Sequence, residues 1–394
     1  MLPKPPPKEA PIGFLFVPPY RIVGHSIAGE ATAVQVPELD IGFDMGFCPR
    51  QMLTSKFVAI SHGHMDHIGS LAYYCSQRHF QGMGVGNIIC DARIAPAIKR
   101  MMEGFIDLER QATPYNLIAI EPEGMVEIKN GIFIRGFATE HAGPTFGYVV
   151  VEKRSKLKAE LVGMPQEKLI ELKDRGEEIT RTIEIPLVTY LVDTAPGPAL
   201  IREDVRKSQI IIAECTFFDP DHKDRAKVGM HMHVDDVCEW LRVLECQKIV
   251  LAHLSRRTNL LEARQILAKK LPREKLEKIE ILMDQKYNKE RYDHQLMDAG
   301  EHPLQTGVRS PRPPMRGGGG FSRGGGGGGG GGGYRGGPGG GSGGGYGSGA
   351  GPAGGPVGGG SGGGPGGPGG LPPGGPPMPT TSYGRPGGGY RARG

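Results

Sequence analysis

The segment SHGHMDHIGS, residues 61–70, places His62, His64, Asp66 and His67 within six positions, directly after the apolar run KFVAI (56–60). A strand that ends in a polar loop fixes the base of that loop, so the side chains on it can be aimed. His62 and His64 are two apart and leave an extended backbone in the same direction. Asp66 and His67 start the next turn and face a point close by. Imidazole nitrogen and carboxylate oxygen suit a borderline divalent ion such as Zn²⁺, at roughly 2.0–2.2 Å. Four such groups in one turn exceed what a single catalytic ion with an open position takes, so the pattern points to two ions on the order of 3.5–4 Å apart. A lone histidine is more often structural. Three histidines and an aspartate in H-x-H-x-D-H, between a β-run and a helix, read as a metal site.

Such a loop needs a framework. IGFLFV (12–17), TAVQV (32–36), IGFD (41–44), KFVAI (56–60), NIIC (87–90), LIAI (117–120), GIFIRGF (131–137) and TFGYVVV (145–151) read as short strands between turn signals. LVTYLVD (187–193), SQIIIAE (208–214), KIVLAH (248–253) and IEILM (279–283) are apolar on successive positions and read as strands buried on both faces. Helical patterns cover about 66–80, 94–111, 234–246 and 258–270. Strands first in meander order, then alternating with helices, predict a mixed-sheet α/β structure with helices outside. Residues 152–186 are dense in charge of both signs around a helix-like centre. They read either as a solvated surface helix or as an arm that touches a substrate.

The chain has 394 residues and a formal net charge of +5, yet 44 of its 66 glycines lie after Ser310. Residues 311–394 carry seven Arg and no Lys, Asp or Glu, which leaves residues 1–310 with 40 basic and 42 acidic groups. The basic balance therefore belongs to the tail, and a uniformly basic nucleic-acid module is excluded. The expected organisation is a Pro-rich segment over 1–19, a hydrolase domain over 20–305 and a disordered Gly/Pro/Arg-rich tail over 306–394. Arg316, Arg323 and Arg335 stand in Arg-Gly boxes of that tail, with Phe321 and several Tyr interspersed. Arg pairs with phosphate and stacks on bases, so they are candidate RNA contacts. No apolar run approaches the roughly 20 residues needed to cross a bilayer. The N-terminus lacks the basic start and long apolar core of a secretory signal. The six cysteines show no C-x-x-C pair, so a reducing cytoplasm is expected.

H-x-H-x-D-H after a strand resembles the signature of the metallo-β-lactamase-fold hydrolases. The rest of the chain, over roughly 20–285, resembles one branch: the tRNA 3′-end-processing endonucleases (ribonuclease Z, or tRNase Z), in their short form. IGFDMGFCPR (41–50) is similar to the branch's first motif, with Asp44 at a strand end. EHAGPTFGYVV supplies His141, YLVDT Asp193, ECTF Glu214, GMHMH His231 and LAHLSRR His253, in the family's order. Val192 stands where the family usually has Gly. Residues 152–186 lie where the family inserts a substrate-gripping arm, and are closer to the arm of the short plant-type enzymes than to the bacterial one.

The resemblance implies an αββα sandwich of two mixed β-sheets flanked by helices. It implies two Zn²⁺ per subunit, with Mn²⁺ or Fe also compatible with the donors. His62, His64 and His141 would hold one ion, Asp66, His67 and His253 the other, and Asp193 would bridge. Asp66, His231 and Glu214 would be catalytic: Asp66 as an acceptor for the water's proton, His231 as general acid, Glu214 as its orienting partner. His233, two residues further on, competes for the acid role. The implied substrate is precursor tRNA, cut to leave a 3′ hydroxyl, by an enzyme that is commonly a homodimer. A phosphodiesterase of the same fold acting on small or cyclic phosphodiesters is the alternative. An RNA-binding protein with a structural metal fits poorly, because such a site uses four ligands and no open position.

Overall fold

Successive apolar positions in a strand need burial on both faces, and the structure supplies two covered sheets. The computed structural model describes residues 12–301. Strands β1 (Gly13–Val17), β2 (Tyr20–Ala28), β3 (Ala31–Val36), β4 (Ile41–Phe43), β5 (Phe57–Ala59), β6 (Gly86–Asp91) and β7 (Tyr115–Ile120) lie side by side in that order. A second sheet contains β8 (Met125–Lys129), β9 (Ile132–Ala138), β10 (Phe146–Leu157), β11 (Thr180–Leu191), β12 (Ile210–Glu214) and β13 (Lys248–Ala252). The chain then crosses back, so that β14 (Leu254–Ser255) pairs with β2, before β15 (Ile279–Ile281) closes the second sheet beside β13. Each sheet is antiparallel at one side, β1–β4 or β8–β11. Each becomes parallel at the other, β4–β7 or β11–β13 and β15.

The side-chain alternation shows what each face covers. In β12, Ile210 and Ile212 join the core between the sheets, while Ile211 and Ala213 join the core under the outer helices. In β5, Phe57 and Ala59 face inward, and Val58 packs outward against Leu71, Tyr74 and Cys75 of the helix Leu71–Phe80. Three buried clusters therefore separate four layers, helix–sheet–sheet–helix. This is the αββα metallo-β-lactamase fold. Tyr74, Tyr148, Tyr190 and Phe43 are among its largest fully buried side chains.

Several elements differ from the sequence reading. β2 is not evident in the sequence because Gly24, His25 and Ser26 interrupt its apolar pattern. β8 is short and half exposed, with no clear alternation. The helix Gln285–Asp298 has almost no apolar face. It is held instead by specific contacts: Asn288 Nδ2 donates to the carbonyls of Ile281 and Leu282, and Tyr292 packs edge-on to Phe14. The stretch 152–186 is a two-stranded ribbon with a helical tip, in which β10 and β11 run on as an antiparallel pair from Tyr148↔Tyr190 to Leu157↔Thr180. The helix Gln166–Asp174 sits between them. Cross-strand pairs such as Lys153–Glu184 and Lys158–Glu178 lace this ribbon, which is why both charge signs alternate there. Residues 1–11 and 302–394, with Arg316, Arg323 and Arg335, lie outside the described residues.

One close approach seats the polar loop. Met45 N–H donates to the His67 carbonyl and Gly46 N–H to that of Thr32, so the β4 exit lies flush against residues 66–67. A Cβ on Gly46 would stand 1.7 Å from the Asp66 carbonyl oxygen. Gly46→Ala is therefore expected to destabilise the fold by on the order of 3 kcal/mol, read from denaturant midpoints. An unchanged midpoint would show that this contact relaxes freely.

Candidate metal centre

The parallel strands β4, β5, β11, β12 and β13 end at one rim, and their C-terminal ends carry Asp44, Ser61–His62, Asp193, Glu214 and His253. The loop after β5 adds His64, Asp66 and His67; the β9–β10 loop adds His141. Two groups of side chains converge there. His62, His64, His141 and Asp193 form one, and Asp66, His67 and His253 the other; Asp193, His231 and His253 form a third, overlapping set, and the ligand atoms of each lie within 4.8 Å of one another. Asp193 Oδ2 lies between them, 3.6 Å from His62 Nε2, 3.7 Å from His141 Nε2 and 3.4 Å from His67 Nε2. Asp66 Oδ2 lies 3.5 Å from His67 Nε2 and 3.7 Å from His253 Nε2. All seven expected ligand residues are thus brought to one place.

Buried partners fix how the rings face. Asp44 is fully buried and accepts from Ser61 N–H (2.7 Å), Ser61 Oγ, Tyr190 Oη (2.7 Å) and His67 Nδ1 (2.8 Å). Because Ser61 gives its proton to Asp44, it accepts from His62 Nδ1 at 3.0 Å. His141 Nδ1 donates to the Met230 carbonyl at 3.2 Å. Each of these rings therefore turns its Nε2 inward, as ligand imidazoles do. Asp66 Oδ2 also accepts from Gly29 N–H at 3.0 Å.

The arrangement fits a cation. His67 Nε2 and His253 Nε2 face each other at 3.3 Å, and His141 Nε2 and His64 Nδ1 at 3.4 Å. His62 Nε2 is buried with no hydrogen-bond partner. Asp193 Oδ1 lies 3.1 Å from His253 Nδ1 but off the line of its N–H, and is equally without a hydrogen-bond partner. Burial, aided by His67, pushes the His62 imidazole down to about 3, so its lone pair is free. Burial likewise lowers His141. Burial opposes ionisation of Asp66 and Asp193 as well, but the adjacent histidines outweigh it and hold both carboxyls well below the usual range. Burial disfavours a charged His67, yet Asp193 and Asp44 overcome it and draw a proton to that ring. The carboxylates call for positive charge in this space, and these donors together would hold divalent metal.

Four of the seven non-glycine residues with left-handed backbone among the described residues belong to this rim: Asp44 (φ 55°), Asp193 (φ 60°), Met230 (φ 56°) and His253 (φ 53°). Such conformations are costly and persist where surrounding structure fixes them. Here each lets a chain leaving a strand or helix turn a polar group inward. Val192 lies in the inter-sheet core, so a bulkier residue beside Asp193 is accommodated as packing.

A second buried carboxyl, Glu214, stands beside the two groups. Its Oε1 accepts from Thr194 N–H (2.5 Å) and His231 Nδ1 (3.1 Å), and its Oε2 from Thr216 Oγ1 (2.7 Å) and Met232 N–H (3.0 Å). Thr216 Oγ1 also lies 3.2 Å from His253 Nδ1, so one hydroxyl links the Glu214 pair to the ligand cluster. The half-buried His231 ring is 5.1 Å from that of His141 and 5.5 Å from that of His253. Burial disfavours its charged form, but the hydrogen bond and charge of Glu214 prevail and raise its pKa above the ordinary value. His233 is used otherwise: its Nδ1 accepts from Asp235 N–H and its Nε2 donates to the Asp219 carbonyl, capping the helix Val234–Trp240. His64 is exposed, and Asp66 and His231 are part-exposed, so the site opens to solvent on their side.

The sequence noted Asp44 only as a strand end. Ser61, Thr216 and Tyr190 carried no signal, because their roles exist only once two sheets meet. Asp44→Asn replaces an acceptor oxygen with a donor nitrogen facing other donors. Zn²⁺ affinity should fall on the order of 10–100-fold, measured by competition with a chromophoric chelator. Equal affinity would mean that packing alone orients the rings.

No protein-family model matches the chain. A chloroplastic tRNase Z of Arabidopsis thaliana is 30% identical over 253 residues, covering 64% of this chain and 72% of that protein. Another Arabidopsis thaliana tRNase Z is 32% identical over 241 residues, covering 60% of this chain and 86% of that protein. The solved short form of human tRNase Z shares 16% identity with a TM-score of 0.42, over 62% of this chain and 93% of that one. By its sequence relatives the chain belongs to the tRNase Z (ribonuclease Z) family of metal-dependent endoribonucleases.

Proposed function

We propose that this chain removes the 3′ trailer of precursor tRNA by hydrolysing one phosphodiester, leaving a 3′ hydroxyl on the tRNA. The observation that carries this reading is the convergence of seven ligand-type side chains beside a buried Glu214–His231 pair, in a chain of the tRNase Z family. His62, His64 and His141 would hold one Zn²⁺, Asp66, His67 and His253 a second, and Asp193 would bridge them. Two such ions would supply a water ready for attack at neutral pH and would neutralise charge on the phosphate. Asp66 offers a part-exposed carboxylate, held ionised by the adjacent histidines, that would accept the attacking water's proton. His231 holds its proton through Glu214 and delivers it to the departing 3′ oxygen. Six free cysteines support a reducing, cytoplasmic setting. No helix among the described residues is long and apolar enough to cross a membrane. A homodimer, with the 152–186 ribbon gripping tRNA, follows the family resemblance.

Single-turnover cleavage of a precursor tRNA, with metal analysis of the same preparation, tests the reading. One cut at the trailer junction and about two metal ions per chain are expected. Hydrolysis of small diesters alone would favour the alternative. Within that assay, Glu214→Gln removes the charge that raises His231 while burial continues to lower it. The general acid then loses its proton at lower pH, so the alkaline limb of the kcat/KM profile should move down by on the order of one pH unit. An unmoved limb would assign the proton donor elsewhere.

The tail's seven Arg and absent acids support an accessory RNA contact through Arg316, Arg323 and Arg335. Deleting residues 311–394 should weaken binding of precursor tRNA and flatten its salt dependence, with the cleavage position unchanged. Equal affinity across a salt series would remove the tail from RNA binding.

A further inference from the structure

Two adjacent phenylalanines follow Glu214, and they are used differently. Phe218 is buried in the core beneath the outer helices. Phe217 is only half-buried and belongs to none of the three core clusters, so the fold does not require its ring. Its backbone is nevertheless held firmly: its N–H donates to the Met232 carbonyl and its carbonyl accepts from Val234 N–H. The segment that carries the ring is therefore fastened to the segment that presents His231. It stands 6.2 Å from the His231 ring and 5.7 Å from that of His222, with planes tilted by 67° and 72°. Neither histidine stacks parallel on it.

Phe217 forms one wall of a cavity of about 580 Å³. Ala263 and Ile266 give that cavity an apolar floor, and Asp219, Arg257, Asn259 and Glu262 stand around it. Both acceptors and donors are present there, and two of the groups are carboxylates, which disfavour a phosphate. An aromatic face with a mixed polar edge is the chemistry that receives a nucleobase. The location is equally specific. His231 gives its proton to the departing 3′ oxygen, that oxygen's own base lies one ribose away, and the Phe217 ring stands 6.2 Å from that of His231.

Resting on the endonuclease reading above, we infer that the Phe217 cavity seats the base of the nucleotide immediately 5′ of the cut, stacked on the Phe217 ring. Holding that base fixes the ribose and aligns its 3′ oxygen with His231. The pocket reads a π-face more than an edge, so it accepts any of the four bases at that position.

A double-substitution cycle tests this. Phe217→Leu keeps an apolar side chain and removes the aromatic face. The substrate pair is one precursor tRNA with its normal nucleotide 5′ of the cut and the same RNA abasic at that nucleotide. Wild-type enzyme should lose on the order of ten-fold in kcat/KM on the abasic RNA, the scale of one base–aromatic stack. Phe217→Leu should lose a similar factor on the normal RNA and nothing more on the abasic one. Metal content equal to wild type identifies the loss as substrate seating and not damage to the ligand cluster. Multiplying losses, or full activity of Phe217→Leu on the normal RNA, would overturn the inference. If wild-type enzyme leaves every precursor tRNA uncut, the endonuclease reading itself is at fault.

Discussion

The Asp44 carboxyl has no solvent contact and sits among donors that arrive from separate strand ends: Ser61 after β5, His67 from the following turn, and Tyr190 within β11. A buried carboxyl is tolerated only when its oxygens are satisfied, so these groups must meet for either sheet to keep its position. That requirement sets the geometry of the site. His67 is turned by Asp44 directly, and His62 is turned through the Ser61 hydroxyl. Tyr190 comes from the second sheet, so the same carboxyl also fastens the sheets at the rim where the ligands lie. Orientation of the metal-facing nitrogens and registration of the two sheets have one cause.

Glu214 repeats the device a few ångströms away. It collects the Thr194 and Met232 amides, the Thr216 hydroxyl and the His231 ring, and so binds the loop after β11, the loop after β12 and the loop after the helix Lys223–Gly229. The two carboxyls differ in what they control. Asp44 faces rings whose Nε2 atoms point inward, to where a divalent cation would sit. Glu214 faces a ring that opens to solvent and keeps its own proton. One fold thus presents histidine in two electrostatic settings side by side, because one set is packed against other histidines and carboxyls while His231 has a single dedicated partner.

Much of this was legible in the sequence, and the limits have physical reasons. The strands with apolar residues on successive positions were plain, because both of their faces are covered. The candidate ligands were plain where their spacing is local, as in residues 62–67. His141, Asp193 and His253 are recognisable only by resemblance, since each is one polar residue at the end of a different strand. β2 and the helix Gln285–Asp298 escaped because polar residues within them are satisfied by tertiary contacts that no periodicity reports. Nor does any spacing report that His233 spends both ring nitrogens at the cap of the helix Val234–Trp240.

The division of ligands between the sheets carries a further consequence for stability. His62, His64, Asp66 and His67 follow β5 of one sheet, whereas His141, Asp193 and His253 follow strands of the other. The chain itself crosses between sheets immediately after His253, whose N–H donates to Ser26 Oγ of β2 as β14 begins. A cation held by both groups would therefore bridge the two halves of the fold. Without one, facing imidazole nitrogens and clustered carboxylates oppose the approach of those halves. Since a ligand at free concentration L that binds only the folded state stabilises it by RT ln(1 + L/Kd), occupancy of this rim and cohesion of the sandwich are a single equilibrium. The left-handed backbone at Asp44, Asp193 and His253 is part of the cost that this equilibrium offsets.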